Sequence, residues 1–281
     1  MRTTDKKVVL FDAAQRTSDE VEEFASVERM IEDGKHPAHA VYTCTINLTG
    51  IFSDEIVELP FLRDAEKFLL KALKLYDPGY PPLSPITVSF FNHWSYFDVR
   101  FGKDSETLGE CFLAIMDNLD FGPVLSEALR ELCRSRMGLY KVEGESGGTF
   151  RIRELVTGQE YNVIITSSFR PEAGCLALMR ILPPLSAIPS PHIAVTTPYV
   201  AIATPEEDWL QYFERQKILP GAPGAEVRLH QHMKYGKNAW YWSEYFFYAY
   251  INHLSNAIFV TGLPDQPKTQ PQHRSYTGGF H

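Results

Sequence analysis

The sequence predicts an α+β fold in which helices flank a small antiparallel barrel-like sheet, with an aromatic-rich helix near the C-terminus. Two changes of period support this class. Apolar residues recur every three or four positions before residue 138, alternate with polar residues over 138–203, and return to helical spacing from 204 onward. With 281 residues, of which 44% are hydrophobic and 22% charged, the chain can bury a core of its own.

Capping signals and apolar stripes locate the predicted helices. Residues 17–20, 107–110 and 204–207 each place a threonine hydroxyl three positions before a glutamate, a pair that satisfies the free amides at a helix start. Pro123 and Pro205 fit the first position of a helix. The predicted helices cover 18–33, 62–76, 107–116, 123–132, 204–218, 225–235 and 240–258.

Short runs with a period of two locate the predicted strands. A run at 38–48 is rich in β-branched and aromatic residues, and the run at 86–91 is also typical of a strand. Six further runs, joined in part by glycine-containing turns, predict a small antiparallel barrel or curled sheet over 138–203. These strands are 138–144, 149–155, 160–166, 175–182, 192–197 and 199–204.

The predicted elements divide the chain into five parts. An N-terminal α/β part (1–85) precedes a helical connector (86–137), and the barrel (138–203) precedes a C-terminal helical layer (204–262). The last part, 263–281, is polar and proline-spaced, which is typical of an extended tail.

Composition limits the expected partners and compartment. A net charge of −8 disfavours a general nucleic-acid binder, because phosphate neutralisation requires concentrated lysine and arginine. The chain has four scattered cysteines, no recognisable secretory leader, and no run near the ~18 apolar residues that a membrane span needs. We therefore expect a cytoplasmic protein without a membrane partner.

The most unusual segment is 240–250, in which eight of eleven residues are aromatic. A helix that is apolar on all sides must be enclosed, either in a core or by a partner. Tryptophan and tyrosine anchor many interfaces, so the segment predicts docking onto a second copy or another protein chain. A core helix and a ligand-stacking wall are the alternatives. The predicted interface residues are Trp240, Trp242, Tyr245, Phe246 and Tyr250.

Residues 92–98 provide a predicted catalytic pair, His93 and Asp98. Their pattern resembles the N-H-x-S-x-x-D motif of glycerolipid acyltransferases. The resemblance implies that His93 acts as general base toward a substrate hydroxyl and that Asp98 orients the imidazole. The later Glu-Gly-Thr-Arg element of that family has no match here, since 147–151 lacks the acid and inserts a phenylalanine.

A second resemblance covers 86–183. Trp94, Phe97 and Asp98, together with segments 102–108, 138–142 and 153–160, are similar to the middle of uncharacterised bacterial proteins that often carry a SEC-C metal-binding tail. The C-terminus here has no cysteine cluster, so the metal function of that tail is not implied. The resemblance implies only helices that lead into a small barrel.

Arg151 and Arg153 are candidates for contact with nucleic acid. They lie two positions apart on a predicted strand and so share one face of the sheet. If Tyr161 and Phe169 joined that face, the barrel would offer both positive charge and stacking rings. The alternative is an ordinary solvated sheet face.

His230, His232 and His253 are the candidate metal ligands, and we expect them not to form a site. Residues two apart on a helix point away from each other, and no acid or cysteine lies at recognised ligand spacing. Nucleotide-binding and hydrolase motifs are also missing. The sequence therefore predicts a non-catalytic bacterial interaction subunit without a cofactor, with acyl transfer and nucleic-acid binding as alternatives.

Overall fold

A computed structural model describes residues 26–57, 63–76, 84–116, 123–188, 190–254 and 256–266. Within these residues the predicted fold class is confirmed, because helices precede and follow a small closed β-barrel. The capping residues 17–20, part of the predicted helix 18–33 and most of the predicted tail lie outside the described residues.

The described residues form nine helices. Those predicted at 62–76, 107–116, 123–132 and 225–235 are confirmed. Taken over the same residues, none of the nine combines the length and apolar character that crossing a membrane requires. The bounds are α1 Val27–Glu32, α2 Pro37–Val57, α3 Arg63–Tyr76, α4 Val88–Phe97, α5 Leu108–Met116, α6 Pro123–Arg134, α7 Glu206–Arg215, α8 Ala225–Tyr235 and α9 Tyr241–Ala249.

The six strands predicted between 138 and 204 are confirmed, and four short ones lie elsewhere in the described residues. The bounds are β1 Arg100–Phe101, β2 Glu106–Thr107, β3 Met137–Ser146, β4 Thr149–Glu154, β5 Glu160–Ile165, β6 Leu176–Leu182, β7 His192–Ala194, β8 Tyr199–Ala201, β9 Tyr250–His253 and β10 Ile258–Val260.

The barrel closes because β3 pairs on both of its edges. The circuit runs from β3 through β4, β5, β7 and β6 and back to β3, while β8, β10 and β9 extend the sheet beyond β6. The prediction of a purely antiparallel sheet over 138–203 is wrong at one joint, since β5 pairs with β7 in parallel. Outside the predicted barrel, β8 also pairs with β10 in parallel. In each case the chain between the two strands supplies the crossover that a parallel pair requires.

The predicted strand at 38–48 is wrong, because this segment belongs to α2. The hydroxyls of Thr43 and Thr45 donate to the carbonyls of His39 (2.7 Å) and Tyr42 (2.8 Å), so these β-branched residues are satisfied within a helix. The buried side chains recur every three or four positions, and the helix packs against α1, α4 and α6. They are Ala38, Ala40, Val41, Cys44, Thr45 and Thr49.

The strand-like run at 86–91 is also a helix start. Thr87 Oγ1 accepts a hydrogen bond from the amide of Phe90 (3.2 Å), which caps α4 and begins helical structure at Val88. Once the cap forms, Ser89 and Phe90 lie on the buried side of the helix, whereas Val88 is 73% exposed.

Of the two described capping boxes, one is confirmed and one is wrong. The Glu110 carboxylate accepts from the Thr107 amide (2.7 Å), and Thr107 Oγ1 accepts from the Glu110 amide (3.2 Å). At the start of α7, Thr204 Oγ1 instead accepts from the amide of Gly262 (2.8 Å). The Thr204 hydroxyl therefore bonds to the chain just after β10 instead of capping α7.

The predicted helix 240–258 is wrong beyond Ala249. The chain leaves α9 there and forms β9, which pairs antiparallel to β10. Because β10 also pairs with β8, the sheet's own hydrogen bonds replace those that would have continued the helix. The aromatic part of α9 packs on the sheet, where the ring of Phe246 stacks on that of Tyr199 with centroids 4.0 Å apart.

Two glycines on β3 allow a matched test of core packing. A Cβ on Gly138 would overlap the buried Tyr140 ring, reaching its Cε2 at 2.7 Å, whereas a Cβ on Gly144 meets no atom within 4 Å. We expect Gly138→Ala to lower the free energy of unfolding by about 1–3 kcal/mol, the usual cost of overpacking. Gly144→Ala should leave it nearly unchanged. Urea denaturation compares the two, and equal losses would contradict the packing argument.

Candidate functional site

His93 lies in the interior on α4, with its side chain 1% exposed. Its Nδ1 donates to the carbonyl of Ser89 (2.7 Å), and Nε2 has no partner among the described residues. Burial, reinforced by the charge of Arg180, lowers the pKa of His93 to about 3. The imidazole is therefore neutral at physiological pH.

Asp98 follows the end of α4 and forms a buried ion pair with Arg180 of β6. Burial raises the pKa of the Asp98 carboxyl, while the charges of Arg180 and Lys234 oppose that rise. Lys234 of α8 is also buried, and its Nζ donates to the carbonyls of Cys133 and Ser135. Burial lowers the pKa of Lys234 to about 8, with Asp98 opposing the shift. Two cations and one anion therefore share this interior cluster.

The structure does not bring His93 and Asp98 together as a catalytic dyad. His93 bonds to Ser89 and Asp98 bonds to Arg180, and among the described residues no hydrogen bond joins the pair. Both side chains are buried, so His93 has no open position for a substrate hydroxyl. The acyltransferase geometry expected from the sequence is absent from the described part of the chain.

The predicted interface residues lie mostly in the core. Trp242, Tyr245 and Phe246 are at most 6% exposed. Trp242 Nε1 donates to the His232 carbonyl (2.9 Å), and the Tyr245 hydroxyl donates to the Gly262 carbonyl (3.1 Å). These three side chains hold α9 within its own chain, which corrects their assignment as an interface.

The other two predicted interface residues are partly buried. The ring centroid of Trp240 lies 4.1 Å from that of Phe68 on α3. Tyr250 lies in β9. Neither belongs to a continuous exposed aromatic face with Trp242, because Trp242, Tyr245 and Phe246 are buried.

Arg151 and Arg153 do not form a continuous basic face. Arg153 pairs with Glu143 (3.0 Å) and Glu206 (3.4 Å), whereas Arg151 is exposed. The register pairs Tyr161 with a buried residue of β4, so its ring lies on the opposite face from the arginines. The face expected to bind nucleic acid therefore carries acids beside its arginines and lacks that stacking ring.

The histidines of α8 serve the packing of the helical layer. His232 Nε2 is hydrogen-bonded to the Tyr212 hydroxyl (2.5 Å), which also contacts the Tyr241 hydroxyl (2.9 Å). Burial lowers the pKa of His230 and of His232 to about 4, so both are neutral. Within the described ranges, no group of three or more His, Cys, Asp or Glu side chains could hold a metal ion.

Three helices end around an open cleft with a volume of about 570 Å³. Asp98 and Arg100 follow α4, Gln216 and Ile218 follow α7, and residues 236–239 follow α8. One side of α8 forms the long wall of this cleft. Asp98 links the cleft to the buried ion pair behind it.

Three cationic side chains line the cleft. The Arg100 guanidinium lies 3.9 Å from the ring centroid of Tyr235, and Arg228 Nε donates to the Lys217 carbonyl (3.0 Å). Lys237 is exposed just beyond α8. Among the described residues, Arg100, Arg228 and Lys237 form no ion pair, whereas Arg153, Arg180 and Arg215 do.

Sequence reasoning missed these three cations. A partial signal existed on α8, where positions 228, 231 and 235 share one helix face. No local pattern relates that face to Arg100, which lies on another element of the fold.

Comparison with known proteins adds no relative to this description. No protein-family model, curated protein or solved structure matches the chain. The two resemblances noted in the sequence therefore stay predictions, and function must be argued from the residues themselves.

The buried ion pair permits a matched substitution test. Asp98→Asn strands the Arg180 charge in the interior, so we expect a loss of about 3–5 kcal/mol in the free energy of unfolding. Asp265→Asn breaks the surface pair with Arg215 (2.9 Å) and should cost much less, because water screens that pair. Guanidinium denaturation measures the free energy of unfolding of both variants. Similar losses would show that breaking the buried Asp98 pair costs no more than breaking a surface pair.

Acidification is expected to destabilise the fold through His93. Its folded pKa of about 3 lies below the ordinary value of 6.5, so the unfolded chain binds more protons between these values. Stability is therefore lost as the pH falls through this window. Between pH 7 and pH 5 the loss due to His93 is about 2 kcal/mol.

Denaturation at the two pH values measures this loss. His93→Asn keeps an N–H for the Ser89 carbonyl but does not titrate, so its loss on acidification should be smaller by that amount. The control, His36→Asn, replaces an exposed histidine and should retain the full loss. An unchanged acid sensitivity in His93→Asn would refute the assignment.

Proposed function

We propose that this protein binds a small anionic ligand in the cleft between α4, α7 and α8. The observation that carries the proposal is the set of three unpaired cations, Arg100, Arg228 and Lys237, around one concave site. Arginine in particular presents several N–H donors in a planar fork that fits the oxygens of a carboxylate or phosphate.

The helix dipoles place negative charge near the cleft, which disfavours an anion, but the lining cations outweigh that charge. The C-terminus of a helix carries roughly half a negative charge, so three helix ends contribute about −1.5 near the cleft. The three lining cations contribute three positive charges. The lining acid, Asp98, is already neutralised by Arg180, and the buried Lys234 adds a further positive charge behind the wall. The lining side chains and the three helix ends together therefore carry a net positive charge.

The overall charge of −8 does not weaken the argument. At physiological ionic strength, exposed charges more than about 8 Å apart are largely screened, so the nearest side chains decide the potential in the cleft. In an acidic chain, three unpaired cations on one small surface are a local exception that a bound anion would explain.

The proposal is one of binding and not of catalysis. The two lining groups that could serve as a general base are engaged with the core, since Asp98 pairs with Arg180 and His232 bonds to Tyr212. A general base needs a free position toward its substrate, and neither group has one.

Docking onto a second copy or another protein chain stays a prediction. Its surface would differ from the predicted one, because Trp242, Tyr245 and Phe246 are core residues. On α9 the large side chain most open to contact is Tyr248, which is 52% exposed.

Isothermal titration calorimetry with pyrophosphate at low salt tests the proposal. We expect binding that Arg100→Gln and Lys237→Gln each weaken by about tenfold, the effect of losing one hydrogen bond to a charged group. Arg151→Gln is the matched control, since Arg151 is an exposed arginine on the barrel, away from the cleft. Absence of binding, or equal weakening by all three substitutions, would refute a specific site.

A further inference from the structure

The cations of the cleft lie at two separate ends. Arg228 is in the first turn of α8, and Tyr235, which carries Arg100 on its ring, is the last residue of that helix. Residues 228 and 235 are seven positions apart in the sequence, so their Cα atoms lie roughly 10 Å apart along the helix axis. Lys237 belongs to the Tyr235 end.

Arg228 extends away from the Tyr235 end. Its Nε donates to the Lys217 carbonyl, and its Nη1 lies 3.2 Å from the position that a Cβ on Gly224 would occupy. The guanidinium is therefore anchored near the start of α8. Arg100 is held at the other end by its contact with Tyr235, so the two guanidinium groups do not converge on one point.

The middle of the cleft carries no unpaired charge. Gln231 lies on α8 between the two ends, and the apolar side chains of Ile218 and Val227 also line the cleft. The stretch at Gln231 suits an uncharged spacer, which could accept a hydrogen bond from the amide of Gln231.

We infer that the ligand is an elongated dianion with oxyanion groups at its two ends, at least about 10 Å apart, and an uncharged spacer between them. The inference rests on the proposed function. A ligand with one anionic group can engage only one end, whereas a two-ended ligand binds the second end as an intramolecular step at high effective concentration. Carboxylates and phosphates share the required chemistry.

Titration of chain-length series tests the inference. The probes are alkane-α,ω-diphosphonates and alkane-α,ω-dicarboxylates of two to ten methylenes, with ethylphosphonate and propionate as one-ended references. Affinity should peak at the length that spans the two ends and exceed the one-ended reference by at least ~10-fold, as bivalent binding requires. The series with the higher peak identifies the oxyanion.

Substitutions separate the two ends. Arg228→Gln should reduce the best long probe to the affinity of the one-ended reference, and so should Arg100→Gln combined with Lys237→Gln. Substitution of all three residues should abolish binding. Arg151→Gln should change nothing.

The outcomes distinguish the inference from the proposed function. If the one-ended probes bind, but affinity does not depend on length and Arg228→Gln has no effect, the two-ended ligand is wrong and anion binding stands. If no probe and no pyrophosphate binds, the proposed function fails and the inference fails with it.

Discussion

The ion pair between Asp98 and Arg180 is the interaction on which the arrangement of the molecule depends. It joins residues 82 positions apart and connects the end of α4 to β6. β6 pairs with β3, β7 and β8, so it belongs both to the closed barrel and to the sheet that extends from it. A buried pair of this kind adds little net stability, but an unpaired charge in its place is costly. Its main effect is positional, because α4 can pack on the barrel only where the two charges meet.

That position also determines the cleft. Arg100 follows Asp98 by two residues, and from there its guanidinium reaches the ring of Tyr235 on α8. On the same helix, Lys234 lies next to Tyr235 and donates to two carbonyls at the end of α6. Two successive residues of α8 thus make different contacts, Lys234 with the buried cluster and Tyr235 with Arg100 at the cleft. The wall of the cleft therefore depends on the same buried charges that join α4 to the barrel.

The aromatic helix also supports α8, the wall of the cleft. The stack of Phe246 on Tyr199 attaches α9 to the sheet, and the Trp242 indole attaches it to the carbonyl of His232 on α8. An aromatic segment that looks like a docking surface in the sequence is here the interior of the helical layer. The exposed polar groups that remain for function are on α8 and after α4, where the sequence shows no unusual composition.

The sequence alone determined the elements whose information is local. Alternation over 138–203 predicts the barrel strands, and the box at Thr107 predicts α5, because each depends on neighbours within a few residues. Local patterns failed where another element competed for the same groups. Thr204 bonds to Gly262 instead of capping α7. Residues 250–253 pair with β10 as strand β9 instead of continuing the predicted helix. Only tertiary structure decided that Arg100 contacts Tyr235. The cations line one cleft because distant helices pack on a closed barrel, and no local period in the sequence determines that packing.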